Sequence, residues 1–457
     1  MRSEEVGRSL AFFLLSFAMV LSIVFVIIGA QKTNAGSSDP PTGIHLTWNE
    51  DDTAHTIVVT WITSTDNAGD NVKYGITSGN YTYSAAGSHH TYSGAEEWIH
   101  DVELTGLSPN TVYYFVCGGD NGGWSEERSF RTGPDNSMSF RFVVGGDSRS
   151  GGGDWPAGRD SVSQAMAKFN PSFVLFSGDF AMQGDYQWEW DSWLDAEQTY
   201  WVDNNNLSIP IIPCLGNHEI YGDSGASYLG QFSLPVNEQG NELWYSLDWG
   251  PNLHITVLDT STSISGDQTN WLQQDLAEHE NYLWKVVLFH EPPYSDGPDG
   301  NNYSVRRYWV PLFDNYHVDL VICGHNHLYE RTYPLFGDYT TSDNTTMPSP
   351  ENGTIYVVSG GWGAPIYTGS QSWFAAVGPI SKHNFTVVDI LDNGMLNLRA
   401  IDTDGNVLDE FSIQKTVSVP QEGKPISISP VLIGAVVVII GCAAVAFYLL
   451  KIRKGKS

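Results

Sequence analysis

The stretch Asp319-Leu320-Val321-Ile322-Cys323-Gly324-His325-Asn326-His327 decides how the chain must be read. An apolar run of strand length ends in a glycine, and two imidazoles follow, two residues apart. From a tight turn both can reach into one cavity. The same grammar recurs upstream. Residues 139–144 lead to Gly146-Asp147, 172–176 to Gly178-Asp179, 209–214 to Gly216-Asn217-His218-Glu219, and 283–289 end at His290. Helical patterns at 160–169, 268–278 and 305–316 lie between these runs, which is the strand–helix alternation of a layered α/β domain. In such folds ligands gather where loops leave the carboxyl ends of the strands. Alone, a Gly-Asp pair is most often a turn, and a histidine after a strand is most often a satisfied core residue. Five such motifs in order, each at a strand end, are expected to share one site.

Together the motifs supply two carboxylates (Asp147, Asp179), one amide oxygen (Asn217) and the imidazoles of His290, His325 and His327. That is the donor set of a paired-metal site, and paired metals suit phosphoester hydrolysis above other chemistry. An amide at Asn217 in place of a third carboxylate leaves the loaded site with residual positive charge, which can hold a phosphate anion.

Upstream the grammar differs. Between residues 42 and 132, β-branched and aromatic runs such as 55–61 (HTIVVTW) and 111–116 (TVYYFV) alternate with Gly, Asn, Asp and Pro turns. Short strands at this spacing predict an all-β sandwich, spanning 36–133 with its flanks. The stretch from Leu104 to Tyr114 (LTGLSPNTVYY) resembles the corner of fibronectin type III domains. No cluster of catalytic residue types marks this domain, so it is expected to support or position its neighbour, which occupies 139–415.

The two ends of the chain are apolar. Residues 10–30 form either a secretory signal, cut near Thr33-Asn34-Ala35, or an uncleaved first span. Residues 431–450 have the length and hydropathy of a transmembrane helix, and the basic tail 451–457 marks the cytoplasmic side. A linker at 416–430 would join this helix to the catalytic domain. These features predict a cell-membrane protein whose catalytic domain is extracellular.

The net charge is −30; removing the +1 of residues 1–35 and the +4 of 451–457 leaves −35 for the exported part. So acidic a surface disfavours a nucleic-acid partner. Six Asn-x-Ser/Thr sites (Asn80, Asn206, Asn302, Asn344, Asn352, Asn384) suit a glycoprotein. The four cysteines form no spacing pattern, and buried free thiols are expected.

The order and spacing of the five motifs resemble those of the calcineurin-like metallophosphoesterases. More narrowly, the segment from Gly300 to Arg306 and the run from Cys323 to Pro334 (CGHNHLYERTYP) are similar to purple acid phosphatases, which also carry a fibronectin-like N-terminal domain. The resemblance covers residues 42–414. It implies that Asp147 and His327 bind a first metal, that Asp179 bridges two metals, and that Asn217, His290 and His325 complete the second site. His218 would stay off the metals, face the substrate and protonate the leaving group, while a metal-bridging hydroxide attacks phosphorus.

Three departures qualify the resemblance. Where the purple enzymes carry a tyrosine three residues after the bridging aspartate, this chain has Met182, so a ferric-tyrosinate centre is not expected; the two ions could be Fe, Zn, Mn or similar. Arg149 stands where relatives have glycine or histidine, either as a loop or salt-bridge arginine or as a clamp on the substrate phosphate. Residues 291–302 contain no histidine, which shifts acid catalysis onto His218. The expected function is a surface-anchored, metal-dependent hydrolase of phosphorylated small molecules or polymers, acid-phosphatase-like. The alternatives are a phosphodiesterase or nucleotidase of the same superfamily, and a cell-surface binding or adhesion protein with a structural metal site.

Overall fold

The computed structural model describes residues 38–66, 69–336, 347–348 and 353–416. The N-terminal domain is a sandwich of two antiparallel sheets. One orders the strands Thr42–Thr47, Ile57–Thr63, Trp98–Leu104 and Ser88–His90. The other centres on Asn71–Gly75 and Val112–Gly119, the latter also paired with Arg128–Arg131. The corner read in the sequence is built as such. The Tyr113 hydroxyl accepts the Ser108 backbone N–H at 2.9 Å, and Leu107 and Tyr113 are buried beneath it.

The second domain carries two mixed sheets. In the six-stranded sheet Ile211–Pro213, Val174–Phe176 and Phe140–Gly145 run parallel, and Asn384–Ile390, Met395–Asp402 and Val407–Gln414 extend it antiparallel. In the seven-stranded sheet Leu253–Val257, Trp284–Leu288, Leu320–Cys323 and Ile355–Ser359 are parallel neighbours. The strands Val174–Phe176, Ile211–Pro213, Trp284–Leu288 and Leu320–Cys323 are buried at every residue, which explains their unbroken apolar sequence. Each ends at one of the motifs.

The helical pattern at 305–316 divides into two short helices, Tyr303–Tyr308 and Val310–Asn315. Pro311 lies in the first turn of the second, where its missing N–H costs no bond, and it could not continue the first. The sandwich docks on the catalytic domain through the Ile44 N–H to Gln198 (2.9 Å), the His45 ring to the Gln231 carbonyl (2.8 Å) and the His90 ring to the Gly230 carbonyl (3.0 Å).

One part of the expected fold class is corrected. Among the described residues no helix is long and apolar enough to cross a membrane. The longest, Gln187–Tyr200, has 14 residues, about 21 Å against a hydrocarbon core of about 30 Å. The described residues thus form two domains and do not include the predicted C-terminal transmembrane helix; residues 1–35 and 431–450, on which the two membrane segments were expected, lie outside them. Cys117, Cys214 and Cys323 are free and buried.

A buried ionic cluster ties helix Asp267–Glu278 to the neighbouring strands. His254 faces Asp248 through Nδ1 (2.8 Å) and Asp275 through Nε2 (3.0 Å). Burial alone would lower its pKa, but Asp275 and Asp248 together raise it to about 9. Such a group stabilises the fold fully below its unfolded value of about 6.5, and that contribution is lost as pH rises through 9. Thermal melts should therefore show the wild-type midpoint falling between pH 7 and 9, with His254→Gln lacking this slope. Parallel pH profiles for the two proteins would refute the assignment.

Candidate metal centre

The five motifs converge in one cavity at the strand ends. Asp147, Asp179, His290 and His327 are almost wholly buried. Asp147, Asp179 and His325 have φ values of +64°, +59° and +69°, a left-handed backbone that is uncommon for residues with a side chain. Three such residues at the facing strand ends aim their side chains into the cavity, a form of strain concentrated at functional sites. The preceding glycines are demanded by proximity. A Cβ on Gly216 would lie 2.3 Å from Asp179 Oδ1, and one on Gly324 would lie 2.4 Å from Asp147 Oδ2.

The hydrogen-bond partners of the imidazoles show which of their nitrogens face the cavity. His290 Nδ1 bonds the Ser177 carbonyl at 2.6 Å, so it carries the proton. Its Nε2 then faces only acceptors, Asn217 Oδ1 at 2.9 Å and Asp179 Oδ1 at 3.2 Å. His325 Nδ1 lies 3.0 Å from the same Asn217 oxygen and 3.3 Å from His290 Nε2. His327 Nδ1 likewise bonds the Pro365 carbonyl (2.8 Å), and its Nε2 is buried with no hydrogen-bond partner, 3.5 Å from Asp147 Oδ1. Buried donor atoms that converge on one another in this way suit a cation, which can be a proton on His290 or a metal ion in its place.

Protonation responds accordingly. Burial pushes His325 down to about 3 and His327 down to about 4, so both are neutral donors. Burial also lowers His290, but Asp179 outweighs it and raises this imidazole to about 10. Asp147 is pushed well up, chiefly by burial, while His290, His218 and Arg149 overcome burial to hold Asp179 below the usual carboxylate range. Loading cations would release the protons on Asp147 and His290, so affinity should weaken in acid.

His218 stands at the rim. Its Nδ1 donates to the Met182 carbonyl at 2.7 Å, leaving Nε2 directed at Asp179 Oδ2, 3.8 Å away. Arg149 is no exposed loop residue, being 8% accessible. Its Nε is 3.4 Å from Asp179 Oδ2 and its Nη1 donates to the Met182 sulfur at 3.4 Å. The side chain in the tyrosine position thus meets the guanidinium beside Asp179.

Sequence reasoning gave no role to Glu219, Tyr367 or Asp299. The buried Glu219 carboxylate accepts the N–H groups of Asp179, Phe180, Ala181 and Gly216, fastening two motif loops together. Its place three residues after Gly216, at the start of helix Asn217–Ile220, is a capping-box position that could have revealed it. Tyr367 stacks on His327 with centroids 4.1 Å apart, and its hydroxyl meets Arg149 Nη2 (3.5 Å) and the Asp299 carboxylate. No local pattern announces either residue.

Comparison with known proteins agrees with this geometry. Residues 140–329 match the calcineurin-like phosphoesterase family, which defines the class: a metallophosphoesterase, a hydrolase of phosphoric esters whose family uses a dinuclear metal centre. Residues 41–132 match the purple acid phosphatase N-terminal domain. The chain is 31% identical to purple acid phosphatase 22 of Arabidopsis thaliana over 318 residues, 65% of this chain and 68% of that protein. It is 26% identical to human (Homo sapiens) acid phosphatase type 7 over 423 residues, 84% of this chain and 93% of that one. A purple acid phosphatase from yellow lupin (Lupinus luteus) seeds shares the fold, with a TM-score of 0.67 at 22% identity, over 83% of this chain and 75% of that chain. The chain belongs to the purple acid phosphatase family.

Proposed function

We propose that the chain is an acid-phosphatase-like hydrolase in which Asp147 and His327 hold one ion, Asn217, His290 and His325 hold a second, and Asp179 lies between them. The convergence of Asn217 Oδ1, His290 Nε2 and His325 Nδ1 within 3.3 Å carries this reading, because one amide oxygen and two imidazole nitrogens turned toward one another beside Asp179 are a donor set that suits a metal ion. Two ions, when bound, supply the water-derived nucleophile and the positive charge that stabilises the phosphoryl oxygens. The protein's own groups do the rest. Glu219 fixes the loops, His218 Nε2 delivers a proton to the leaving oxygen, and Arg149 holds the substrate phosphate.

The test is metal reconstitution followed by assays on p-nitrophenyl phosphate and bis-p-nitrophenyl phosphate. Faster monoester cleavage supports the phosphatase reading, whereas faster diester cleavage would replace it with the phosphodiesterase. No cleavage of either sinks both.

The proximity of Arg149 to Asp179 supports the clamp role, since a substrate phosphate would compete for the same guanidinium. Arg149→Ala should raise KM about 10- to 100-fold, the equivalent of one charge-assisted bond pair, with a smaller effect on kcat. An unchanged KM removes the clamp.

This reading also has the enzyme work outside the cytoplasm, held at a surface. The apolar ends of the sequence, the acidic charge and the sequons support it. Fractionation of cells with activity found only in the cytosol would refute it.

A further inference from the structure

A second cluster of metal-ligating side chains lies in the N-terminal sandwich, away from the catalytic chemistry. Asp70 immediately precedes strand Asn71–Gly75 of one sheet, while His89 and His100 lie on strands Ser88–His90 and Trp98–Leu104 of the other. His89 Nδ1 is 2.9 Å from each Asp70 oxygen, and His100 Nδ1 is 2.6 Å from Oδ1. We propose that Asp70, His89 and His100 bind a divalent cation of the zinc type, which clips the two sheets of the sandwich together independently of the catalytic centre.

Hydrogen placement supports the proposal. The Thr63 hydroxyl donates to the Thr65 carbonyl at 2.9 Å, so it accepts from His100 Nε2 at 2.6 Å. The proton of a neutral His100 is thereby placed on Nε2, and Nδ1 presents a lone pair to a carboxylate oxygen. A proton or a bound cation between them satisfies both. The bond from Nε2 to Thr63 is also the outer contact that orients a ligating histidine.

Both rings are held in place before any ion arrives. His100 stacks on Trp61 with centroids 5.1 Å apart at 1°, and His89 meets Trp98 edge-on at 5.2 Å. Their planes are inclined by 50°, so their in-plane lone pairs converge on the carboxylate. His89 and Asp70 remain 30% and 25% exposed, which leaves a path from solvent and room for a water as a fourth ligand. Tetrahedral bonds of about 2.1 Å separate ligand atoms by about 3.4 Å, so entry of the ion asks Asp70 to part by about 0.5 Å from His89 and about 0.8 Å from His100. Two imidazoles and one carboxylate favour zinc-like cations over Mg²⁺ or Ca²⁺.

The Asp248, His254, His279 cluster shows by contrast what fails the same test. There the two rings stack 3.7 Å apart at 10°, so their lone pairs lie in separate parallel planes and cannot meet on one ion.

The full chain should be loaded with Zn²⁺, desalted and its metal counted by mass spectrometry, as wild type, as His89→Ala and as His325→Ala. The proposal expects His89→Ala to lose one zinc per chain with kcat unchanged on p-nitrophenyl phosphate. It also expects His325→Ala to retain the sandwich zinc, and added Zn²⁺ to raise the Tm of His325→Ala but not that of the double variant with His89→Ala. Equal zinc in wild type and His89→Ala would overturn it, as would equal Tm shifts in the single and double variants.

Discussion

Asp179→Asn is expected to lower kcat about 1,000-fold and to remove at least one bound metal per chain. The substitution keeps the shape of the side chain and deletes its charge. In the structure that charge is shared among His290, His218 and Arg149, and it keeps the carboxylate ionised in spite of complete burial. Without it His290 loses the partner that holds it protonated, and two ions held as proposed would lose the carboxylate expected to lie between them. Bound metals stabilise transition-state charge by several kcal/mol, and each 1.36 kcal/mol is tenfold in rate, hence the magnitude. Turnover, metal content and circular dichroism should be measured on the same sample. A folded variant with full metal content and near-normal turnover would mean that Asp179 is not the shared ligand.

The second large effect concerns His218. His218→Ala should reduce kcat by about 10²- to 10⁴-fold on alkyl phosphates and far less on p-nitrophenyl phosphate, whose leaving group hardly needs a proton. The ring is oriented by its bond to the Met182 carbonyl, and its pKa is lowered, mostly by burial, with Asp179 working in the opposite direction. An acid with a pKa below 6.5 is mostly unprotonated at neutrality, so its active form grows as pH falls. Wild-type kcat on an alkyl ester should therefore rise below pH 6.5 until cation loss intervenes, and the variant should lack that rise. Equal losses on both substrates would assign His218 to binding instead of proton transfer.

The sequence exposed the catalytic architecture because that architecture is built from local pieces. Each motif is a short buried strand, a glycine and a donor, and all three are contiguous. The donor residues Asp147, Asp179, Asn217, His290, His325 and His327 therefore meet where their order suggested. What stayed hidden depends on contacts between distant segments. Tyr367 reaches His327 across 40 positions, from a loop without periodicity, and Asp299 meets the site only through Tyr367. The surroundings of Arg149 were equally illegible, since only the fold brings Met182 and Asp179 to its guanidinium. Helix Gln187–Tyr200 was missed because its tryptophans and acids do not form a clean apolar stripe. Its buried face includes Glu189, which accepts from the Ser150 hydroxyl and the Met182 N–H. The membrane helix expected at 431–450 rested on hydropathy alone, and that segment lies outside the described residues.

The left-handed backbone at Asp147, Asp179 and His325 has a consequence for how the enzyme acquires its ions. Each such residue costs on the order of 1–3 kcal/mol, and backbone bonds help the fold sustain them: Glu219 accepts the Asp179 N–H and Asp147 accepts the His325 N–H. Peptide geometry thus contributes to the shape of the cavity alongside the donor side chains. Among first-row divalent cations that suit imidazole, amide and carboxylate donors, such a shape leaves much of the choice to availability. Which metal the enzyme carries should then follow the local supply, so that the same chain matured in iron-rich and zinc-rich media would emerge with different occupants and one unchanged shape.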